Sequence, residues 1–481
     1  MMLHKMIFAL ALAGVTAGAA QAQTAAAPLP VPFPSGPQAT PQTGTSAPQA
    51  PGQPGSSNPQ QQGELVVDVV GGVSAPLGIA IPVMPTSEVV NTPAGRTDQL
   101  GQQLAQIVTT DLRNSGLFKP LDSGVKPVLF PEVTAPTFDY WGGAGASALV
   151  QGFIRANGDG TLTVGCYLYD VFSRAELARQ GFVVPPSEWR RAGHKCADMV
   201  YSKLTGEGPY FDSRVVYVSE TGPKGKRIKR LAIMDQDGGN HRFLTNGQAI
   251  ALTPRLSPDQ RSIVYMSYVD DRPAIYVYDL ASGRQRLLVP NTNLTFAPRV
   301  SPDGKWVLFS MAVGGNTDIY RVPLSGGTPQ RLTDSPAIDT GGTYSPDGSR
   351  IVFESDRSGT QQLYVMNADG SQQQRISFGS GRYATPVWSP RGNLIAFTKI
   401  GGSFRIGIMS PAGGNEQLLT DGAQDEGPSW SPNGRVLMFF RSSGGGNGRA
   451  DLWSVDLTGV NVRRVPTVLD GSDPAWGPLR P

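Results

Sequence analysis

A small α/β domain followed by an all-β, six-bladed β-propeller closed by the C-terminal strand is the fold class this sequence predicts. Three observations carry it. A Ser-Pro motif recurs at Leu256-Ser-Pro-Asp-Gln260, Val300-Ser-Pro-Asp-Gly304, Tyr344-Ser-Pro-Asp-Gly348, Trp388-Ser-Pro-Arg-Gly392 and Trp430-Ser-Pro-Asn-Gly434, its serines 44, 44, 44 and 42 residues apart. The residues after each copy alternate with period two, as in Lys305-Trp-Val-Leu-Phe-Ser310, which excludes helical repeats of similar length. Upstream of the array, two stretches carry helical apolar stripes instead.

The chain has 481 residues, room for more than one core, with a net charge of +3 and 16% charged residues. That balance argues against a nucleic-acid partner, which calls for a strongly basic patch. His4 and Lys5, apolar Met6 to Val15 and Ala20-Gln-Ala22 read as a signal peptide over 1–22. The apolar run is shorter than the roughly 20 residues needed to span a bilayer, and no later segment is apolar enough. Export as a soluble protein is the expectation. Residues 23–63 hold no charge and are rich in Pro, Ala, Gln, Gly and Ser, so they read as a disordered, partly extended tether.

The α/β domain is expected over 64–206. Glu64-Leu-Val-Val-Asp-Val-Val-Gly-Gly72 is a short β-branched run, hence a strand. Beside a tether, such a strand either stays at home in its own domain or adds to the sheet edge of another protein. Thr97 to Ser115 predicts a helix, with Thr97 as N-cap, Leu100, Leu104, Ile107, Val108 and Leu112 as its stripe, and Gly116 as its stop. Ala148 to Ile154 and Thr161 to Val171 predict strands joined by a turn at Asn157-Gly-Asp-Gly160. Ser187 to Leu204 predicts a second helix with a Trp189, Gly193, Cys196, Val200, Leu204 stripe. Cys166 and Cys196 are the only two cysteines, and each faces a core. A bridge between them and two buried free thiols both remain open.

The propeller is expected over 211–481. Within one unit a short strand ends in Ser-Pro-Asp-Gly, whose Pro and Gly suit a type I turn. An alternating strand, a third strand such as Asp318-Ile-Tyr-Arg-Val322, a Gly-containing tip and a polar outer strand follow. Four strands per period of this length make a propeller blade. Six tips, at Gly238, Gly283, Gly326, Gly370, Gly413 and Gly459, require six blades, yet five Ser-Pro motifs occur. Asp473-Pro-Ala-Trp-Gly-Pro478 aligns with Gly427-Pro-Ser-Trp-Ser-Pro432, so the C-terminal strand is expected to complete the first blade and remove the open edges. Gln260 replaces the turn Gly at a modest backbone cost, and Arg391 and Asn433 replace Asp where the turn is expected to be exposed, so these departures are expected to matter little.

Chemistry is scarce. Beyond the leader only His194 and His241 remain, in different domains, which argues against a His-rich metal site. His194 is expected to be a packed histidine, and the basic hairpin Lys224-Gly-Lys-Arg-Ile-Lys-Arg230 a solvated turn. No G-x-S-x-G, H-E-x-x-H, P-loop or C-x-x-C motif is present. The segments that lead into the innermost strands carry small residues and prolines at Leu252-Thr-Pro254, Phe296-Ala-Pro298, Asp339-Thr-Gly341, Ala384-Thr-Pro386, Glu426-Gly-Pro428 and Asp473-Pro474. They ring one mouth of the channel. The ring either receives a protein loop, with Asp339, Asp425, Glu426 and Asp473 as weak Ca²⁺ donors, or is merely the set of turns a propeller needs.

From Glu64 onward the chain resembles the TolB family, the periplasmic propeller proteins of the Tol–Pal envelope system. The likeness rests on Asp111-Leu-Arg-Asn-Ser-Gly-Leu-Phe118, Trp189-Arg-Arg-Ala-Gly-His194 with Lys203-Leu-Thr-Gly206, the Ser-Pro-Asp-Gly array and Pro474-Ala-Trp-Gly-Pro478. The resemblance implies a non-enzymatic adaptor, a monomer without a cofactor, that supports outer-membrane integrity and constriction at cell division. It implies that the lipoprotein Pal docks at the mouth, on Leu294, Ala297 and Thr340, with Thr253, Pro298, Thr385, Glu426 and Asp473 in the same ring. It also implies that the inner-membrane-anchored TolA pairs with the segment 64–73, where Glu64, Val67, Val69 and Gly72 hold the matching positions. Pal binding would alter whether that segment is free. The family segment usually starts at the mature N-terminus, whereas here about 40 residues of tether precede it. A propeller-gated peptidase is the rival reading, but it needs a nucleophile elbow. A sugar- or ion-binding propeller is a third.

Overall fold

The computed structural model describes residues 65, 67, 75–121, 127–223, 225–269, 271–289, 293–443 and 449–481. The expected signal peptide (1–22) and tether (23–63) lie outside the described residues, as do Glu64, Val69 and Gly72.

In the N-terminal part, five strands form one sheet: β1 (Leu77–Ala80), β2 (Phe118–Pro120), β3 (Ala148–Ala156), β4 (Leu162–Asp170) and β5 (Ala175–Val184), in the order β2-β1-β3-β4-β5. β1 runs parallel to β2 and β3, while β3, β4 and β5 are antiparallel neighbours. Helix α1 (Thr97–Asn114) buries Leu100, Leu104, Ile107, Val108 and Leu112, the stripe read from the sequence. Thr97 is not its N-cap. Arg96 holds that place, and the Thr97 hydroxyl instead accepts from Val90 N–H at 3.0 Å and donates to Glu88 O at 3.0 Å, tying the preceding hairpin to the helix. Gly116, in the left-handed region at φ 77°, follows the helix end as expected.

A short helix α2 (Phe138–Gly143) covers the other sheet face with buried Trp141. Helix α3 (Trp189–Thr205) packs on α1, and Gly193 permits this, since a Cβ there would come within 3.0 Å of Ile107 Cγ2. Of the two readings left open for the cysteines, the bridge is the one formed. Cys166 on β4 and Cys196 on α3 are disulfide-bonded with Cα atoms 5.8 Å apart. The bridge fastens the helix to the strand face it covers.

Six four-stranded sheets follow, arranged as a propeller. The closing strand (Asp470–Leu479) pairs antiparallel with Ser213–Thr221 and is the innermost strand of blade 1, as the motif count required. Trp476 anchors it: the ring meets Tyr210 at 6.0 Å and its Nε1–H donates to Ser213 Oγ at 2.8 Å. The outer strands are two or three residues long, a limit on the edge each blade presents.

The Ser-Pro turns are built from side chains as well as backbone. Ser301 Oγ donates to Asp303 Oδ1 at 2.5 Å and accepts Trp306 N–H at 2.9 Å, while Gly304 N–H donates to Ser301 O at 2.9 Å with φ 71°. The serine therefore recurs because it closes the turn on both sides, and the glycine because of its positive φ.

The three departures from the motif are not idle, and Asn433 is not in an exposed turn, although Arg391 is exposed as expected. Asn433 is buried and its Nδ2 donates to Gly208 O at 2.8 Å. Arg391 bonds Glu207 and Asn433 O, and Arg435 joins the same Glu207 carboxylate. Gln260, at φ 58°, donates to Leu479 O at 2.6 Å and accepts from Arg214 at 3.2 Å. Each departing residue contacts the junction with the N-terminal domain or the closing strand. The face bearing these turns and the blade tips is thus the one on which the N-terminal domain sits, and Asn461 and Arg463 beyond the last tip also reach Asn114 O.

His194 is a packed histidine, as expected, at the centre of that junction. Its Nδ1 lies 2.7 Å from Asp111 Oδ2, and its Nε2 lies 3.6 Å from Asp235 Oδ2 on blade 1. Burial opposes charge on the ring, but these carboxylates outweigh it and hold its pKa well above the ordinary value. Arg190 spans Asp235 and Asp237 at 2.9 and 2.6 Å. Asp198 accepts three backbone N–H groups from Tyr210, Phe211 and Asp212 within 3.0 Å, which fixes the connection into the propeller.

Removal of residues 473–481 is expected to open the ring and abolish cooperative melting. Trp476→Ala, which leaves the strand but empties its anchor, should cost about 3–5 kcal/mol. Calorimetry of both variants checks this, and a truncated protein that melts as cooperatively as the full chain would contradict closure by this strand.

Candidate functional site: a ring of bulges at the channel mouth

Every innermost strand breaks its register near the mouth, and the closing strand does so a second time between Trp476 and Leu479. The shifts near the mouth fall between Leu252 and Arg255, Phe296 and Arg299, Thr340 and Thr343, Ala384 and Val387, Glu426 and Ser429, and Ser472 and Ala475. Each is a β-bulge whose first residue is left-handed: Thr253 (φ 46°), Ala297 (52°), Gly341 (68°), Thr385 (49°), Gly427 (65°) and Asp473 (49°). Four of the six are not glycine, and each such residue stores roughly 1–2 kcal/mol of strain. The proline that follows in five of the six has no N–H, so no ladder bond is lost where the strand bulges.

The blades brace one another at these bulges. Gly341 N–H donates to Ser310 Oγ of the preceding blade at 3.2 Å, Gly427 N–H to Thr398 Oγ1 at 3.3 Å, and Thr385 N–H to the Glu354 carboxylate. Ser310, Glu354 and Thr398 hold equivalent places on their second strands, opposite Phe296, Thr340 and Ala384. Gln361 and Thr340 also bond Glu354.

The sequence-derived ring residues are brought together, with different roles. Thr253, Ala297, Thr385 and Asp473 are the strained bulge residues, Pro298 is buried behind one of them, and Thr340 and Glu426 directly precede two others. Leu294, half-buried, opens the blade 3 strand at the rim. Asp339 and Asp425 are not open to a ligand. Both are fully buried and paired, Asp339 with Arg357 at 2.7 Å and Asp425 with Arg441 at 2.6 and 2.9 Å. Arg255 and Arg299, which no motif flagged, follow the bulge prolines of blades 2 and 3. Glu426 and Asp473 therefore share the channel with two guanidiniums, a donor set that suits Ca²⁺ poorly. Among the described residues, Asp111, His194 and Asp237 have ligand-type atoms within 4.8 Å of one another, but they lie in the domain junction and are already paired.

Burial raises the Glu354 carboxyl to about 7 against the hydrogen bonds it accepts. Burial, then the charges of Asp473 and Asp425, raise Glu426 to about 7. Of the arm, only Leu65 and Val67 are described. Val67 is buried, and its N–H donates to Leu204 O at 2.7 Å, at the end of α3.

The chain matches the model of the TolB amino-terminal domain over residues 65–177 and that of the TolB beta propeller domain over 201–480. A Tol-Pal system protein TolB of Rhizorhabdus wittichii is 75% identical over 419 residues, covering 87% of this chain and 95% of that protein. Its counterpart in Zymomonas mobilis subsp. mobilis is 72% identical over 418 residues, covering 87% and 91%. The crystal structure of TolB from Acinetobacter baumannii superposes with a TM-score of 0.73 at 30% identity, covering 86% of this chain and all of that one.

A carboxyl whose folded value is raised stabilises the fold fully below its ordinary value of 4.5, and the contribution is lost as pH rises through about 7. Wild-type stability should therefore fall across that window, by at most about 1.4 kcal/mol per pH unit for Glu354. Glu354→Gln should flatten the profile while keeping an oxygen to accept Thr385 N–H. Identical denaturation profiles for the two proteins would contradict the assignment.

Proposed function

The chain belongs to the TolB family of the Tol-Pal system, and from that premise we propose that it is a periplasmic, non-enzymatic adaptor with two protein-binding surfaces. The first is the channel mouth, which receives the lipoprotein Pal. The observation that carries this reading is the ring of six left-handed bulges, held in place by neighbouring blades on the face opposite the N-terminal domain. Strain of this kind is retained where a rigid surface is useful, and a rigid surface loses little entropy on binding. Leu294 and Ala297 supply its apolar part, and Thr253, Thr340 and Thr385 its hydroxyls. Thr253 Oγ1 is buried without a partner, a hydroxyl available to an inserted loop.

The second surface is the arm 64–73, which pairs with TolA by strand addition. Its described part has a home position on α3 through Val67, so binding to TolA competes with that contact. Occupancy of the mouth and release of the arm are linked in this reading, and the adaptor thereby connects an inner-membrane complex to a lipoprotein of the outer membrane. Outer-membrane integrity and constriction at division are the processes served.

A photo-crosslinking residue at position 297 or 340 should capture Pal in cells, identified by mass spectrometry, whereas the same residue at exposed Val460 on the opposite face should not. Recovery of Pal from position 460 alone would overturn the placement. Removal of residues 64–73 should abolish TolA binding while the protein still melts cooperatively, at a lower temperature because the Val67 contact is lost, and retained binding would remove that role from the arm.

A further inference from the structure

Two cations of the channel form no ion pair with any described residue. Arg255 and Arg299 sit at equivalent places in blades 2 and 3, directly after the bulge prolines and so deeper in the channel than Thr253 and Ala297. The other four blades carry Thr343, Val387, Ser429 and Ala475 there. Arg255 Nη1 donates to its neighbour Pro254 O at 2.6 Å, while its Nε is buried without a partner. Arg299 makes no hydrogen bond or ion pair with any described side chain. It interacts electrostatically with Arg255 of blade 2, Glu354 of blade 4 and Asp473 of blade 1, so it points into the space the blades share. Burial, followed by repulsion from Arg255, holds Arg299 well below the usual guanidinium range, and burial lowers Arg255 to about 10 against the pull of Asp473.

The acidic groups nearby do not balance the pair. Glu354 is committed to Thr385, Gln361 and Thr340, and burial raises the carboxyls of both Glu354 and Glu426 to about 7. Among the described residues, Asp473 is the carboxylate that interacts with both arginines. An anion between the guanidiniums would meet forked donors on two sides and relieve their repulsion. Leu294 and Ala297 lie above them at the rim, an apolar collar suited to a protein loop.

We propose that Arg255 and Arg299 form a receptor in the channel wall for a carboxylate carried by the protein loop that enters the mouth. This rests on the mouth being a protein-docking face, and adds the chemistry of what docks there: the inserted loop is acidic at its tip. The pair acts as an electrostatic socket beneath the rim and contributes both affinity and its salt dependence.

Calorimetric titration of the full chain with the same organism's Pal, freed of its lipid, tests the assignment at low and high salt. Wild-type binding should weaken about tenfold or more as salt rises, and Arg255→Gln/Arg299→Gln should weaken it by about tenfold at low salt, roughly 1.4 kcal/mol, with most of the salt dependence gone. Arg255→Lys/Arg299→Lys, which keeps the charge and removes the fork, should fall between the two and guards against misfolding of the first variant. Equal affinity in all three proteins overturns the receptor and leaves the docking face standing, while no binding by the wild type overturns both. Titration with glutarate and with inorganic phosphate separates the sources. A small anion that binds the wild type but not the glutamine variant, with Pal affinity unchanged between them, would assign the pair to a free anion and overturn the proposal.

Discussion

Asp470–Leu479 closes the ring by lying antiparallel to Ser213–Thr221, and along its length it reaches both ends of the propeller. Near its start, Asp473 is a left-handed bulge residue of the mouth. Further on, Trp476 packs on Tyr210, and Leu479 O accepts from Gln260. Just beyond the strand, Arg480 N–H donates to Asp212 O, Arg480 bonds Glu188, and Pro481 O accepts from Arg191 of α3. A displaced closing strand would disturb the mouth, the first blade and the domain junction together. This is the constraint on which the other features depend.

The two ends differ in their chemistry. The junction holds ion networks: His194 with Asp111 and Asp235, Arg190 with Asp235 and Asp237, and Glu207 with Arg391 and Arg435. The removal of one member leaves a buried charge uncompensated, so such networks favour one arrangement strongly. At the mouth, backbone strain is retained, and Arg255 and Arg299 form no ion pair with any described residue. Groups satisfied within the chain serve stability, and groups left unsatisfied beside an opening are suited to an incoming ligand.

How much of this was legible in the sequence depended on how local the cause is. The α1 stripe and the Ser-Pro turns are set by residues three to five apart, and both stood out. The sixth blade emerged because Pro474-Ala-Trp476 keeps the motif's shape after losing its serine. β5 was missed: it is an edge strand with exposed residues on both faces, so it shows no period of two. The cysteine pairing stayed open because it depends on where α3 docks. Gln260, Arg391 and Asn433 looked like tolerated drift, since the partners that use them lie in the domain linker or the closing strand, far away in sequence for all three. Arg255 and Arg299 carried a signal that went unread, a charge at a repeat position otherwise filled by small or neutral residues.

Hydrogen exchange of the full chain, alone and with lipid-free Pal, reads the mouth and the closing strand in one experiment. The account predicts added protection at the bulge segments 252–256, 296–300, 340–344 and 384–388, and altered protection along Asp470–Leu479 as far as the domain junction. Protection confined to the outer strands or the N-terminal sheet, with both the mouth and the closing strand unchanged, would contradict it.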